Sequence, residues 1–268
     1  MTSPNSKPTI LDRIVRAAED RMAAIAPRPD LEEAAHLAVD RRRAQGLRSL
    51  RQALAAPGPQ ILAECKHASP SAGVLREPFD PVALARAYEA GGAAAISVVV
   101  EPEFFLGDPA WIPEVRNAVA LPVLRKDFIV CERQLYETAL IGADAVLLIQ
   151  RLLNPERTAI LLDLAYELEL EVLLEIFVDE DPAAAIDSGA EILGVNARNL
   201  ATFETSVDRV IELADVLPAD RVRVAESGIK DQTDISRLSA AGYDAFLIGE
   251  TLVRSADPSR AVAELAGR

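Results

Sequence analysis

Lysine is scarce in this 268-residue chain: Lys7, Lys66, Lys126 and Lys230 are the four lysines among 28 basic residues. Two of them end apolar runs, and both have acids beside them. The run Ile61–Lys66 closes on Glu64-Cys65-Lys66. Side chains alternate along an extended chain, so Glu64 and Lys66 share one face and Cys65 takes the other. The run Leu121–Lys126 closes on Leu124-Arg125-Lys126-Asp127. Further polar residues interrupt or end similar runs: Glu175 in Leu173-Leu174-Glu175-Ile176-Phe177, Asn196 (followed by Arg198) and Glu226 (followed by Ser227). A carboxylate in an apolar strand needs a cation or a proton. Lysines among such carboxylates are the equipment of general acid–base chemistry, with a donor for a developing alkoxide and an acceptor for a departing proton. A buried ion pair that only fixes packing would explain Glu64 with Lys66 alone, and a turn cap would explain Asn196 alone. It takes a shared site to explain all of them together.

A second chemistry shows in the segments that follow these runs. Ser69-Pro70-Ser71-Ala72-Gly73 offers hydroxyls just beyond Lys66. Ser227-Gly228-Ile229 and Gly249-Glu250-Thr251 follow the last two runs, and the second opens a short helix. Backbone N–H groups there would hold a phosphate, and Gly249 permits close backbone approach. Glu250 would have to aim its N–H inward and its carboxylate away.

These groups must be positioned by regular elements. Strand-length runs at Ile61–Lys66, Ala95–Val100, Leu121–Lys126, Ala143–Gln150, Glu171–Ile176, Glu191–Asn196, Arg221–Glu226 and Asp244–Gly249 alternate with helical patterns such as Pro81–Ala90, Cys131–Ile141, Pro155–Leu168 and Thr233–Ala241. Gly91-Gly92, Gly142, Gly189 and Gly242 stand where helices stop. Eight strand–helix units fit a parallel α/β fold, a (β/α)8 barrel of the TIM type. The polar residues then converge at the C-terminal ends of its strands, where such barrels carry chemistry, and the last two loops are its usual phosphate site. An open doubly wound sheet would show a Gly-rich turn after the first strand, and none is present.

Residues 1–57 read as an added helical extension packed on a barrel of residues 58–268. Ile10, Leu11, Ile14, Val15 and Ala18 recur at helical spacing after a candidate cap, Thr9. A second helix starts near Asp30, and its Arg41-Arg42-Arg43 triplet reads as a solvated face. Pro57-Gly58-Pro59 ends the extension.

Composition narrows the partners. Half the residues are apolar and the net charge is -14. That hydrophobicity excludes intrinsic disorder, and that charge repels nucleic acid and anionic lipid. No apolar run is long enough to span a membrane, and the N-terminus lacks the apolar core of a secretory signal. Cys65, Cys131, His36 and His67 form no metal-ligand spacing, and both cysteines read as reduced thiols.

The segments Ala63-Glu64-Cys65-Lys66-His67-Ala68-Ser69-Pro70-Ser71, Pro122-Val123-Leu124-Arg125-Lys126-Asp127-Phe128, Gly194-Val195-Asn196-Ala197-Arg198-Asn199-Leu200 and Ala225-Glu226-Ser227-Gly228-Ile229 resemble the indole-3-glycerol phosphate synthases. Phe104-Phe105-Leu106-Gly107 and Phe246-Leu247-Ile248-Gly249-Glu250 extend the likeness over nearly the whole chain. The resemblance implies ring closure, decarboxylation and dehydration of 1-(2-carboxyphenylamino)-1-deoxyribulose 5-phosphate, without cofactor, metal or redox change. It implies Lys126 as the acid on the ribulose carbonyl, and Glu175 and Glu64 as the carboxylates of the dehydration. Lys66 would neutralise the substrate carboxylate or act as a second acid. Asn196, Arg198 and Glu226 would orient substrate and catalytic groups, with Ser227 beside them. Ser69, Gly228, Gly249 and Glu250 match the phosphate contacts, and Phe105, Phe128, Leu147, Leu200 and Ile248 match the apolar ring pocket. A small phosphorylated substrate, a monomer open to association with other enzymes of tryptophan synthesis, and a cytoplasmic location are implied too. His67, Ala197, Val100 and Asp108 depart from residues frequent in the family, where Lys, a polar residue, Thr and Ser are common. Two other readings compete: a Schiff-base aldolase barrel, which also uses a strand lysine near a phosphate, and a barrel kept only as a binding or scaffold subunit.

Overall fold

A computed structural model describes residues 9–198 and 204–268. Eight parallel strands close into a barrel: β1 (Gln60–Cys65), β2 (Ala95–Val99), β3 (Val123–Lys126), β4 (Ala145–Ile149), β5 (Glu171–Phe177), β6 (Ile192–Asn196), β7 (Val222–Glu226) and β8 (Ala245–Ile248). Each strand pairs with its sequence neighbours, and β8 returns to β1. The expected strands are all present; most are shorter than expected, β1 is shifted back by one residue to begin at Gln60, and β5 runs one residue further, to Phe177. Pro122 has no N–H to donate, so β3 begins only at Val123. Asp144 precedes β4 because its carboxylate accepts hydrogen bonds from Val123 N and the Arg116 guanidinium.

Alternation sorts the side chains. One set packs between the strands and the surrounding helices, among them Ile61, Ala63, Cys65, Val146, Leu148 and Phe246. The other set fills the barrel interior: Leu62, Ala95, Leu124, Ala145, Leu147, Leu173, Val224 and Leu247. The interior positions one step closer to the C-terminal ends of β1, β3, β5 and β7 carry Glu64, Lys126, Glu175 and Glu226. The barrel is thus apolar below and ionisable at its mouth.

Three helices precede β1: α1 (Ile10–Ala24), α2 (Leu31–Gln45) and α3 (Leu50–Leu54). Thr9 caps α1 as expected, accepting from Asp12 N while the Asp12 carboxylate accepts from Thr9 N. Ile10, Leu11 and Ile14 of α1 line the mouth cavity. At the other end α3 closes the barrel floor. Leu50 and Leu54 are wholly buried in the interior cluster, and Glu171 at the start of β5 accepts from Ser49 Oγ at 2.6 Å and Arg51 N at 2.6 Å. The arginine triplet divides. Arg41 and Arg43 are exposed, as expected, but Arg42 is buried. Its guanidinium donates to the carbonyls of Ala143, Leu168 and Glu169, satisfying loop oxygens that have no ladder partner. The solvated-face reading is therefore corrected at this residue.

Eight further helices join or follow the strands: α4 (Pro81–Ala90), α5 (Trp111–Ala118), α6 (Glu132–Leu140), α7 (Pro155–Glu167), α8 (Ala183–Asp187), α9 (Val207–Leu213), α10 (Gln232–Ala240) and α11 (Glu250–Arg254), with α12 (Pro258–Leu265) closing the chain. Gly92, Gly142, Gly189 and Gly242 have positive φ at their helix ends, as their spacing predicts.

If α3 is the floor of the barrel, Leu50→Ala opens a cavity far from the mouth. The expected loss is about 2–5 kcal/mol of stability in urea unfolding, with kcat/KM held while the variant stays folded. An unfolding free energy within about 1 kcal/mol of the parent would contradict this placement.

Candidate active site

One cavity of about 220 Å³ opens at the barrel mouth. It is lined by Glu64, Lys66, Ser69, Phe105, Lys126, Phe128, Leu147, Glu175, Asn196, Arg198, Glu226, Ser227, Gly228, Ile248, Gly249 and Glu250. Every candidate catalytic, substrate or phosphate residue named from the sequence therefore lines this one cavity, except Leu200, which lies outside the described residues.

Lys126 is the centre. Its Nζ donates to Glu175 Oε2 at 2.9 Å and to Glu226 Oε2 at 2.9 Å. The ammonium has a third N–H that can turn to the cavity. Burial alone would lower the lysine pKa, but the carboxylates of Glu175, Glu226 and Glu64 outweigh it and hold the proton above the ordinary lysine range. The second pair stands across the mouth, with Lys66 Nζ donating to Glu64 Oε1 at 2.6 Å. For Glu64 the burial cost is overcome by Lys66, Lys126 and Arg198, which lower its pKa below the usual value.

Glu226 behaves differently. It is buried, it shares the Lys126 ammonium with Glu175, and its Oε1 has no hydrogen-bond partner. Burial raises its pKa well above the carboxylate range; Lys126 opposes this and Glu175 reinforces it. Two carboxylates on one ammonium in a dry setting hold a proton more readily than either would in water.

Two glycines make room for these groups. A Cβ on Gly194 of β6 would stand 2.2 Å from Glu226 Oε1, and one on Gly249 would stand 2.1 Å from Glu64 Oε1 and 3.1 Å from Lys66 Nζ. Gly249 was read from the sequence as a phosphate contact; here it also clears the Glu64–Lys66 pair. Gly194 was missed. Its signal was a glycine inside a strand, opposite the acid of the next one.

Asn196 both faces the cavity and caps: its Oδ1 accepts from Arg198 N at 3.0 Å. That leaves its amide N–H groups for a ligand. Arg198 reaches across the mouth to Ser71 Oγ at 3.3 Å. Ser69 Oγ accepts from Ala72 N at 3.2 Å inside a short hairpin, in which Ala68–Ser69 pairs with Gly73–Val74. Ser227 and Gly228 both have positive φ, which turns the chain sharply just beyond Glu226. The Glu250 carboxylate points away from the cavity into an ion pair with Arg254 at 2.9 Å, as its place at the head of α11 requires. Phe105 and Phe128 stand 6.0 Å apart by ring centroids.

The departing residues lie elsewhere. His67 stacks on Phe79 at 4.8 Å, outside the cavity lining. Val100 and Ala197 are buried in the outer core, and Asp108 accepts from Ala110 N at 2.8 Å. Cys65 is buried on the outer face, as alternation predicts.

A closed parallel barrel with lysine–glutamate pairs at its mouth and a serine–glycine rim defines a barrel enzyme of acid–base chemistry. Solved structures agree on the fold: a tryptophan synthase α-subunit from Pyrococcus furiosus superimposes with a TM-score of 0.60 at 14% identity, covering 79% of this chain and 98% of that one. A 3-hexulose-6-phosphate synthase superimposes with a TM-score of 0.61 at 16% identity, covering 78% and 98%.

Sequence comparison goes further. The family model described as indole-3-glycerol phosphate synthase matches residues 11–265. The indole-3-glycerol phosphate synthase of Burkholderia vietnamiensis is 41% identical over 256 residues, 96% of this chain and 98% of that one. That of Lachnoclostridium phytofermentans is 45% identical over 206 residues, 77% of this chain and 76% of that one. The chain belongs to the indole-3-glycerol phosphate synthase family, carboxy-lyases of tryptophan biosynthesis.

The raised pKa of Glu226 has a signed consequence. A carboxyl group whose pKa is higher in the folded state stabilises the fold below its unfolded value, and that stabilisation is lost as pH rises through the folded value. Glu226→Gln fixes the neutral form. The melting temperature of the variant minus that of the parent should therefore climb as pH is raised above the ordinary carboxylate range, and a difference flat with pH would refute the assignment. Gly194→Ala should push the Glu226 carboxylate from its place and lower kcat by on the order of 10²-fold; a variant with parental kcat would show that the clearance is not needed.

Proposed function

We propose that the mouth cavity binds 1-(2-carboxyphenylamino)-1-deoxyribulose 5-phosphate and closes it to indole-3-glycerol phosphate, with Lys126 as the acid. The observation that supports this most directly is the Lys126 ammonium, held charged by Glu175 and Glu226 with one N–H free. The aromatic carbon bearing the carboxylate attacks the ribulose carbonyl. Lys126 donates to the oxygen as it becomes an alkoxide, where a fixed donor in a dry site is most effective. Carbon dioxide then leaves, which restores the aromatic ring, and loss of the hydroxyl as water with a proton from the ring-closed carbon skeleton gives the indole. Glu175 and Glu64 are the carboxylates within reach of that proton, and Lys66 stands ready for the leaving hydroxyl or for the substrate carboxylate.

Binding divides along the mouth. Ser69, Gly228, Gly249 and the N–H of Glu250 form the phosphate side, with Ser227 turning the chain between them. Phe105, Phe128, Leu147 and Ile248 form the ring side, and Leu200 is assigned to it by family likeness. Asn196 and Arg198 orient the sugar and carboxylate, and Glu226 orients Lys126. No cofactor or metal enters this scheme. The chain then works as a helical extension, residues 1–57, on a catalytic barrel, residues 58–268, acting as a cytoplasmic monomer that is free to associate with other enzymes of the pathway.

The test is to supply the substrate and follow indole fluorescence; a well-folded protein giving no signal would sink the proposal. Lys126→Ala and Glu175→Gln should each lower turnover by at least ~10²-fold. Near-parental turnover in both would remove these roles. Borohydride in the presence of substrate should leave the enzyme active, whereas a covalent adduct would favour the Schiff-base alternative.

A further inference from the structure

Helix α1 does more than wall the mouth. Its Arg21 reaches between two buried carboxylates, with Nη1 3.6 Å from Glu101 Oε1 and Nη2 3.6 Å from Asp127 Oδ1. Each acid holds the backbone of one pocket phenylalanine. The Glu101 carboxylate accepts from the N–H groups of Glu103 at 3.0 Å, Phe104 at 2.7 Å and Phe105 at 3.1 Å. Asp127 Oδ1 accepts from Phe128 N at 2.9 Å. Phe105 and Phe128 are the two rings that face each other across 6.0 Å.

The two acids are not equally secured. Asp127 has a second cation, since Arg125 Nη2 lies 2.7 Å from its other oxygen. Among the described residues, Arg21 is the one cation within ion-pair distance of Glu101. Removing one partner of a buried pair leaves an uncompensated charge, and the cheapest relief is to move that charge toward water. Glu101 cannot move without the backbone of Phe104 and Phe105.

We propose that Arg21 is a positioning residue for the aromatic-ring side of the cavity: through Glu101 and Asp127 it fixes the separation of Phe105 and Phe128. This rests on the ring-side reading given above. Docking of α1 and the shape of the ring subsite are then one event, because the guanidinium that ties down the helix also ties down both rings.

The test uses the full chain with Arg21→Met, which keeps length and loses charge, and Arg21→Lys. Two probes report the two sides of the cavity: anthranilate for the ring and inorganic phosphate for the other end, each titrated by calorimetry. Arg21→Met should weaken anthranilate binding by roughly 10-fold, the scale of one lost interaction, and phosphate binding by less than about twofold. With the complete substrate it should raise KM far more than it lowers kcat, and Arg21→Lys should recover much of the loss. Equal weakening of both probes would mean general loosening, and unchanged anthranilate binding would mean no positioning role; either overturns the proposal. Should Arg21→Met not fold, Arg21→Gln carries the same comparison. Failure of the parent enzyme to turn over the substrate would count against the reaction instead, while the two titrations would still decide the role of Arg21.

Discussion

The rest of the site depends on one buried ammonium that must serve two carboxylates. Lys126 sits at the end of β3, and Glu175 and Glu226 reach it from β5 and β7. Strands two apart in a closed barrel present their side chains at the same height, so three alternate strands deliver one cation and two acids to a single level. Neither acid could be there alone, since an unpaired buried carboxylate either takes up a proton or expels the chain around it. Gly194 is the complement on β6: at this level the intervening strand has to give up its side chain. The same crowding that fixes the lysine in place raises the pKa of Glu226.

The raised pKa of Glu226 bears on the charge seen by a ligand. The chain as a whole carries -14, which opposes an anionic substrate at long range. A formal count in the mouth sets Lys66, Lys126 and Arg198 against Glu64, Glu175 and Glu226 and gives neutrality. The raised pKa of Glu226 shifts that count toward the cations, while Asp127 and Glu250, also at the mouth, are held by Arg21 with Arg125 and by Arg254. An acidic surface is therefore compatible with the anion binding proposed for the mouth. Inside a low-dielectric mouth nearby charges outweigh distant ones that salt screens.

The fold and the convergence of polar residues at the mouth were legible because both follow from period, whereas the roles of those residues were implied by family likeness. Alternation placed Glu64 and Lys66 on one face and Cys65 on the other, and the rhythm of strands and helices placed the polar ends together. Residues whose meaning lies in contacts distant along the chain stayed opaque. Arg42 looked like one of three solvated arginines, yet it alone satisfies loop carbonyls about a hundred positions away. Gly194 reads as a weak point in a strand until Glu226 is set beside it. Arg21 falls on the polar side of an ordinary amphipathic helix, and its two acids lie in separate loops. Nothing in the local pattern distinguishes Arg42 or Arg21 from its neighbours, and Gly194 shows only as a glycine inside a strand.

The extension makes the strongest case that the mouth is built as a dry compartment. The acid role proposed for Lys126 needs its free N–H aimed at a substrate oxygen without competition from water. The barrel alone cannot ensure that, since its C-terminal rim is made of loops rich in serine and glycine. Ile10, Leu11 and Ile14 bring apolar cover from outside the barrel sequence, while α3 seals the opposite end with Leu50 and Leu54. A helix that covers a polar mouth must leave the ionisable groups beneath it with partners. A tie such as Arg21 solves that problem. It converts two anions that would otherwise repel an apolar cover into the anchor for it, and it does so at the residues that set the ring pocket.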